Sequence, residues 1–382
     1  MTIPMFKVRM AYKRGSIDEV LQSGYIAQGP KVELLEQKLQ QYTGSPFCAT
    51  VNSGTSALHL ALRMVKDASD ELSAQKPWDS IERKTVLSIP LTCTATNFPI
   101  LANGLDIKWV DTDPNTANVD LDDLARKMSP DVAAIMVVHW AGTPCDLDRI
   151  AAIQDAAEKE YGYRPPLIED AAHAFGAEWD GKKLGNHGNY VMHSFQAIKH
   201  FTTGDGGVLI SPTYPEHKIA KLLRWFGLDR ERSPSMRCEQ DVRAWGYKFH
   251  LNDISAQIGL DNFTLVEDTV AKHRANGCWY NENLKDVPGV RLLTQPDKAN
   301  SSYWIYSMRV EDKEGFIKMM ASHDISVSQV HDRNDKHTAL RAYKSQLPGT
   351  DEIMSEIISI PCGWWVTEED RERIAEAIKG GW

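Results

Sequence analysis

An α/β protein, with a mostly parallel sheet in a larger first domain and a smaller C-terminal domain, is the fold class that this 382-residue chain predicts. Three observations lead there. Apolar runs of strand length alternate with helical periodicity through the first two-thirds of the sequence. Within that region Val132 to Val138, Leu147 to Tyr161 and Leu167 to Glu169 form a βαβ unit, which implies parallel strands. After about residue 255 the pattern changes. The chain also exceeds the roughly 250 to 300 residues at which a single core stops growing.

Taken in order, Phe47 to Val51 reads as a strand, and NSGTSALHLALRMV follows it with Leu58, Ala61, Leu62 and Val65 on one helical face. Glycine and hydroxyl residues therefore fall at a helix start. Thr85 to Ile89 and Ile107 to Val110 are the next strands. In the βαβ unit, Ile150, Ile153 and Ala157 share a face and Gly162 ends the helix. Tyr190 to His193 and Val208 to Ser211 are strands, whereas Asp180 to Gly188 and Pro212 to Glu216 read as loops. A long helical stretch then runs through Asn276, followed by strands near Val290 to Leu293 and at Trp304 to Val310. Thr367, with Asp370 three residues on, caps a last helix that carries Ile374, Ala377 and Ile378 and stops at Gly380. The expected division is a large domain over 1–255 and a smaller one over 256–382.

With 42% hydrophobic and 25% charged residues, the composition is that of a globular protein with a sizeable core. The net charge of −9 is spread without a basic stripe, which disfavours nucleic acid as a partner. No run approaches a membrane span and the first residues lack an apolar signal region, so the expected location is cytoplasmic. Cys48, Cys93, Cys145, Cys238, Cys278 and Cys362 lie far apart without a CxxC pair. Buried reduced thiols are expected, rather than a zinc site or disulfide framework.

The chemistry concentrates in two segments, LIEDAAHAFGA (Leu167 to Ala177) and SFQAIKHFTTGDGG (Ser194 to Gly207). Lys199 follows a strand and precedes glycines that allow close approach of a ligand; Phe195, Ile198 and Phe201 could desolvate its amine. Asp170 closes a buried strand, at the end where open α/β sheets place ligand sites. An amine able to form an imine and a carboxylate able to hold a pyridinium nitrogen are the minimum kit for pyridoxal 5′-phosphate chemistry. Asp170 could instead cap a helix beginning at Ala171, and His173 could contact the ring or be a satisfied core histidine. Gly54, Thr55 and Ser56 offer amides and hydroxyls to a phosphate at a helix start, where Ser53 or Thr55 could equally serve as the cap. Ser194 is a further hydroxyl candidate.

These residues resemble the DegT/StrS family of fold-type I aminotransferases, which act mostly on nucleotide-linked keto sugars. The likeness extends to SGYIAQGPKVELLEQKLQQYTG (Ser23 to Gly44), VNSGTSALHLAL (Val51 to Leu62), TCTATNFPILANG (Thr92 to Gly104) and GYKFHLNDISAQIGL (Gly246 to Leu260). The resemblance implies a large three-layer αβα domain with a mostly parallel sheet plus a smaller C-terminal α+β domain. It makes Lys199 the internal aldimine lysine, Asp170 the pyridinium partner and His173 a ring or O3′ contact, with Gly54, Thr55 and Ser194 on the phosphate. It also implies a homodimer with shared active sites, in which Lys248, standing where relatives often have asparagine, reaches the partner's phosphate. The implied substrates are an amino-acid donor, glutamate, and a nucleotide-linked keto sugar.

The chain departs from the family pattern in three places. Cys93 stands where a stacking aromatic is usual, which would pass stacking to another group such as His173; Asp205 replaces a common glutamate; and VHDRNDKHTALRAY (Val330 to Tyr343) carries unusual charge. In that last segment His331, Arg333, Asn334 and His337 could meet substrate or be solvated, and Arg224, Trp225 and Arg230 could hold a carboxylate or phosphate or merely end a surface helix. A related sugar dehydratase would have histidine at the lysine position, yet the glycine spacing puts Lys199 there and not His200. A non-catalytic regulator is disfavoured by the intact Lys199 and Asp170 pair, and a nicotinamide dehydrogenase by the lack of a GxGxxG turn.

Overall fold

The computed structural model describes residues 2–75, 81–231 and 239–382, so Cys238 lies outside the described residues. The main sheet contains β1 (Cys48–Val51), β2 (Thr85–Ser88), β3 (Asp106–Trp109), β4 (Val132–Val138), β5 (Leu167–Asp170), β6 (Tyr190–Ser194) and β7 (Gly207–Ile210). Their spatial order is β1-β7-β6-β5-β4-β2-β3. Neighbours from β3 to β6 pair in parallel, while β7 runs antiparallel to both β1 and β6. The βαβ unit takes the expected form, with Ile135 opposite Leu167 and Val138 opposite Asp170.

Strand β4 is buried at every position, as a strand covered on both faces must be. From Ala134 to Val137 successive side chains alternate between two cores. Ile135 and Val137 pack with Leu35 and Leu39 of the helix Pro30–Thr43 and with Ile150 of Leu147–Tyr161. Ala134 and Met136 pack with Leu58, Ala61, Leu62 and Val65 of Gly54–Gln75. Helices thus cover both faces and produce three layers, each fully buried aliphatic side chain stabilising by roughly 1.5–3 kcal/mol.

A smaller antiparallel sheet follows, of β8 (Val290–Leu292), β9 (Tyr306–Val310) and β10 (Ile357–Ile360), in the order β8-β9-β10. Met308, Ile358 and Ile360 pack with Phe316 of the helix Lys313–Ser322 and with Ile374 and Ile378 of Glu368–Lys379. Thr367 and Asp370 form the expected capping box. Residues 255 and 256 lie within the helix Asp253–Asn262, whose Asp253 accepts from the amides of Gly29 and Val32. No described helix is long and apolar enough to cross a membrane.

Some local expectations are corrected. Lys182–Lys183, expected in a loop, pairs with Glu178–Trp179 across a tight turn at Asp180 and Gly181, both at positive φ. Glu178–Trp179 in turn pairs with Ala299–Asn300. The helix Tyr214–Leu223 begins inside another expected loop, because Pro215 fits a first helical turn where no amide is needed. Helical structure after Asp253 continues past Asn276 to Leu284, interrupted by a 3-10 turn at Phe263–Leu265. Gly277 lies within this helix as a packing position, since a Cβ there would collide with the Tyr303 ring. Cys93 and Cys278 are exposed, against the expectation of buried thiols.

Candidate active site

The parallel strands aim their C-terminal ends at one crevice. Asp170 ends β5 and is buried. Its Oδ2 accepts from the Thr96 hydroxyl at 2.7 Å and its Oδ1 from the Ala172 amide at 3.0 Å. No helix starts at Ala171, so the capping alternative falls away. Burial pushes the Asp170 carboxyl up, opposed by Thr96, Ala172 and the nearby Lys199.

Lys199 lies in the loop that leaves the neighbouring strand β6. The loop is closed by the Phe195 amide on the Gly206 carbonyl at 2.9 Å and the Thr203 amide on the Phe195 carbonyl at 3.1 Å. Phe195 and Phe201 are buried beneath it. Nζ of Lys199 rests 3.5 Å from the centre of the Trp304 indole. Burial pushes this amine down to about 7, although Asp170 and Cys93 both pull it up. Burial is the largest influence on both Asp170 and Lys199, and on each it opposes the charged form that the other favours.

The proposed phosphate residues also converge. A Cβ on Gly54 would meet the Met192 sulfur at 2.8 Å and Cβ of Ser194 at 3.2 Å, and a Cβ on Gly207 would meet the Gly54 nitrogen at 2.7 Å. Only glycines permit this approach. Ser53 accepts from the Ser56 amide at 3.1 Å and so caps the helix, leaving the first amides of Gly54 and Thr55 outside the helical ladder. Lys248 is exposed; its carbonyl accepts from Asn52 at 3.4 Å, and its ammonium stands 5.9 Å from Trp225 and 5.8 Å from Phe226.

His173 is 4% exposed, and its ring stacks on Trp304 at 4.0 Å. Its Nε2 faces Nε2 of His331 at 3.3 Å, and Trp140 stands edge-on to both histidines at 5.9 Å. Thr96, Trp140 and Trp304 were not singled out from sequence. Thr96 lies in a segment that carried the family likeness, whereas nothing local separates the two tryptophans from core aromatics. Three members of the cluster adjoin non-glycine residues at positive φ: Ala141 after Trp140, Tyr303 before Trp304 and Val330 before His331. Such backbone costs roughly 1–3 kcal/mol per residue and persists where surrounding contacts enforce it.

Other candidates are placed elsewhere. Arg224 is buried on Glu36 and the Thr50 carbonyl, so it is structural and neither a surface helix end nor an anion ligand. Arg230 lies 4.1 Å over Trp225 and donates to the Gln28 carbonyl. Arg333 is paired with Asp335 and Asp351, and Asn334 donates to the Thr92 carbonyl at 2.6 Å, anchoring the loop that delivers His331. His200 bonds the Ser302 carbonyl at 2.9 Å through Nε2 and packs 4.6 Å from His273, while Lys199 faces the crevice. Cys93 precedes the helix Thr94–Ala102 and Asp205 is exposed.

Residues 10–379 match the DegT/DnrJ/EryC1/StrS aminotransferase family. The chain is similar to AtS13 from Actinomadura melliaura, with a TM-score of 0.93 and 44% identity, covering 100% of this chain and 99% of that one. It is also similar to the sugar aminotransferase CalS13 from Micromonospora echinospora, with a TM-score of 0.93, 40% identity and 100% of both chains covered. A Methanocaldococcus jannaschii protein, MJ1066, described as uncharacterized, is 27% identical over 377 residues, or 94% of this chain and 92% of that protein. The fold is that of the fold-type I aminotransferases. With its lysine and aspartate meeting in one crevice, the chain belongs to the DegT/DnrJ/EryC1/StrS aminotransferase family, whose members are transaminases dependent on pyridoxal phosphate.

Proposed function

We propose that this sugar aminotransferase moves an amino group from glutamate to a nucleotide-linked keto sugar, using Lys199 as its reactive amine. The observation that carries the reading is a desolvated Lys199 amine, pushed down to about 7, in the same crevice as the buried Asp170.

The residues fit pyridoxal phosphate. Gly54 stands closer to Ser194 and Gly207 than any Cβ would allow, which gathers these groups at a helix start suited to phosphate. His173 offers a buried Nδ1 that has no partner among the described residues. When bound, the cofactor supplies an aldehyde to hold the travelling amino group and a ring that absorbs electron density. Gly54, Thr55 and Ser194 would hold its phosphate, Asp170 its ring nitrogen, and His173 a ring face or oxygen. Lys199 would attach to the aldehyde and, once displaced by the donor, move a proton through Nζ. Phe195, Phe201 and Trp304 limit water around that nitrogen.

Positive charge from Arg230 over the Trp225 indole suits a substrate that carries both phosphate and a flat base. The 40% identity to a solved sugar aminotransferase supports the sugar as acceptor. We place the enzyme in the cytoplasm as a homodimer, with Lys248 acting on the partner's phosphate. Lys248→Ala should then weaken cofactor retention about tenfold, the size of a lost charge-assisted contact. Unaltered retention on equilibrium dialysis would show that the contact is misplaced.

Two assays test the reaction. Glutamate added to the holoenzyme should replace its visible absorbance with the band of the aminated cofactor; an unchanged spectrum excludes glutamate as donor. A panel of nucleotide-linked 3-keto and 4-keto sugars should then restore the visible band with at least one member, and failure of the whole panel would sink the acceptor class.

A further inference from the structure

We propose that His331 is a positioning residue for the transamination site: its Nε2–H donates to Nε2 of His173 and so holds His173 as an Nδ1–H donor toward an acceptor oxygen of the bound cofactor. The placement of His173 beside the cofactor rests on the reading above; the link between the two histidines does not.

The two imidazole planes lie within 7° of each other, with centroids 5.3 Å apart and Nε2 atoms 3.3 Å apart, so the rings meet through their nitrogen edges. Neutral imidazole has one donor and one acceptor nitrogen, and one proton fits between the facing atoms. Burial and Lys199 hold both rings below the ordinary histidine range, which keeps the pair neutral. Whichever ring donates therefore dictates what the far nitrogen of His173 presents. That nitrogen, Nδ1, is buried without a partner among the described residues, on a ring 4% exposed.

The chemistry of the ligand decides the direction. Pyridoxal phosphate carries a ring oxygen, an acceptor, beside the aldehyde carbon that Lys199 must reach. A bare Nδ1 would set lone pair against lone pair there, whereas an Nδ1–H donates. His331 must then supply the proton between the rings. The surroundings leave it little freedom: Val330 before it has φ 67, a backbone that a β-branched residue rarely adopts. The loop is pinned by Asn334 on the Thr92 carbonyl and on Asn97. Trp140 flanks both rings, and Trp304 covers one face of His173.

The experiment uses histidine labelled with 15N in full-length, cofactor-free protein, where long-range proton–nitrogen correlations report the tautomer, with His173 assigned by its loss in His173→Phe. Wild type and His331→Gln, whose amide retains a donor at the Nε2 position, should show protonated Nδ1 on His173. His331→Phe should lose that single tautomer. In parallel, His331→Phe should raise the dissociation constant for pyridoxal phosphate roughly three- to tenfold, the size of one hydrogen bond, and His331→Gln should stay within about twofold of wild type. In the His173→Phe background, His331→Phe should add nothing, because the effect passes through His173. An unchanged His173 tautomer in His331→Phe overturns the proposal, as does an equal loss of affinity in both backgrounds. A tautomer that follows His331, with cofactor affinity indifferent to His173→Phe, would uphold the pairing and reject the placement of His173 against the cofactor.

Discussion

Lys199→Ala is expected to abolish the visible absorbance of the holoenzyme and to lower turnover by roughly 100- to 10,000-fold, the range for a removed proton-transfer group. The loss follows from where the amine sits. Its neighbours are an indole face and a carboxylate, and it makes no hydrogen bond among the described residues, so no nearby side chain stands ready to replace it. Pyridoxal phosphate would still be held at its phosphate end, so the variant should bind cofactor without a covalent link. A variant that kept near-normal turnover would remove Lys199 from the chemistry.

The pH dependence follows from the same nitrogen. An ordinary lysine is a nucleophile only near 10.5, whereas burial brings Lys199 down to about 7. The neutral amine attacks the aldehyde, so reloading of cofactor-free protein should accelerate as pH rises through about 7 and level off above it. A midpoint near 10 in stopped-flow absorbance would mean that the amine is solvated.

Asp170→Asn is expected to cost about 100- to 1,000-fold in turnover, as for other removed groups that stabilise developing charge. The substitution is nearly isosteric: the Ala172 amide can still donate to the one side-chain oxygen, while the Thr96 hydroxyl can accept from the new amide nitrogen. The negative charge that keeps a pyridine nitrogen protonated is what disappears. Cofactor affinity should fall less than turnover, because phosphate contacts persist. Turnover within a few fold of wild type, with an unchanged melting temperature, would reject the ring-nitrogen role.

Much of the fold was legible because its signals are local. Strand β4 is an unbroken apolar run, and the helix Leu147–Tyr161 carries its cap, its stripe and its terminating Gly162 within one short stretch. Lys199 and Asp170 were legible because each closes or follows a strand in a distinctive setting. Groups defined by distant partners were not. Arg224 reads as an anion ligand or a surface helix end because Glu36, which neutralises it, lies 188 residues earlier. Trp304 reads as the first aromatic of an expected strand, which in fact begins at Tyr306; only the fold brings it beneath Lys199. The packing role of Gly277 is hidden for the same reason, because the ring of Tyr303 is absent from its local sequence.

The segment Ala299 to Trp304 has a consequence for the order of assembly. Its contacts run backward along the chain: Ala299 pairs with Trp179, the Ser302 amide meets the Gly142 carbonyl at 3.1 Å, and Trp304 donates to the Ile198 carbonyl at 2.9 Å. Such contacts require large loops to close and therefore form slowly. A nascent polypeptide that has cleared the ribosome only as far as Gly207 already holds the lysine and the aspartate, yet it lacks the tryptophan floor and the second imidazole. Vitamin capture in its final geometry must wait for the later residues.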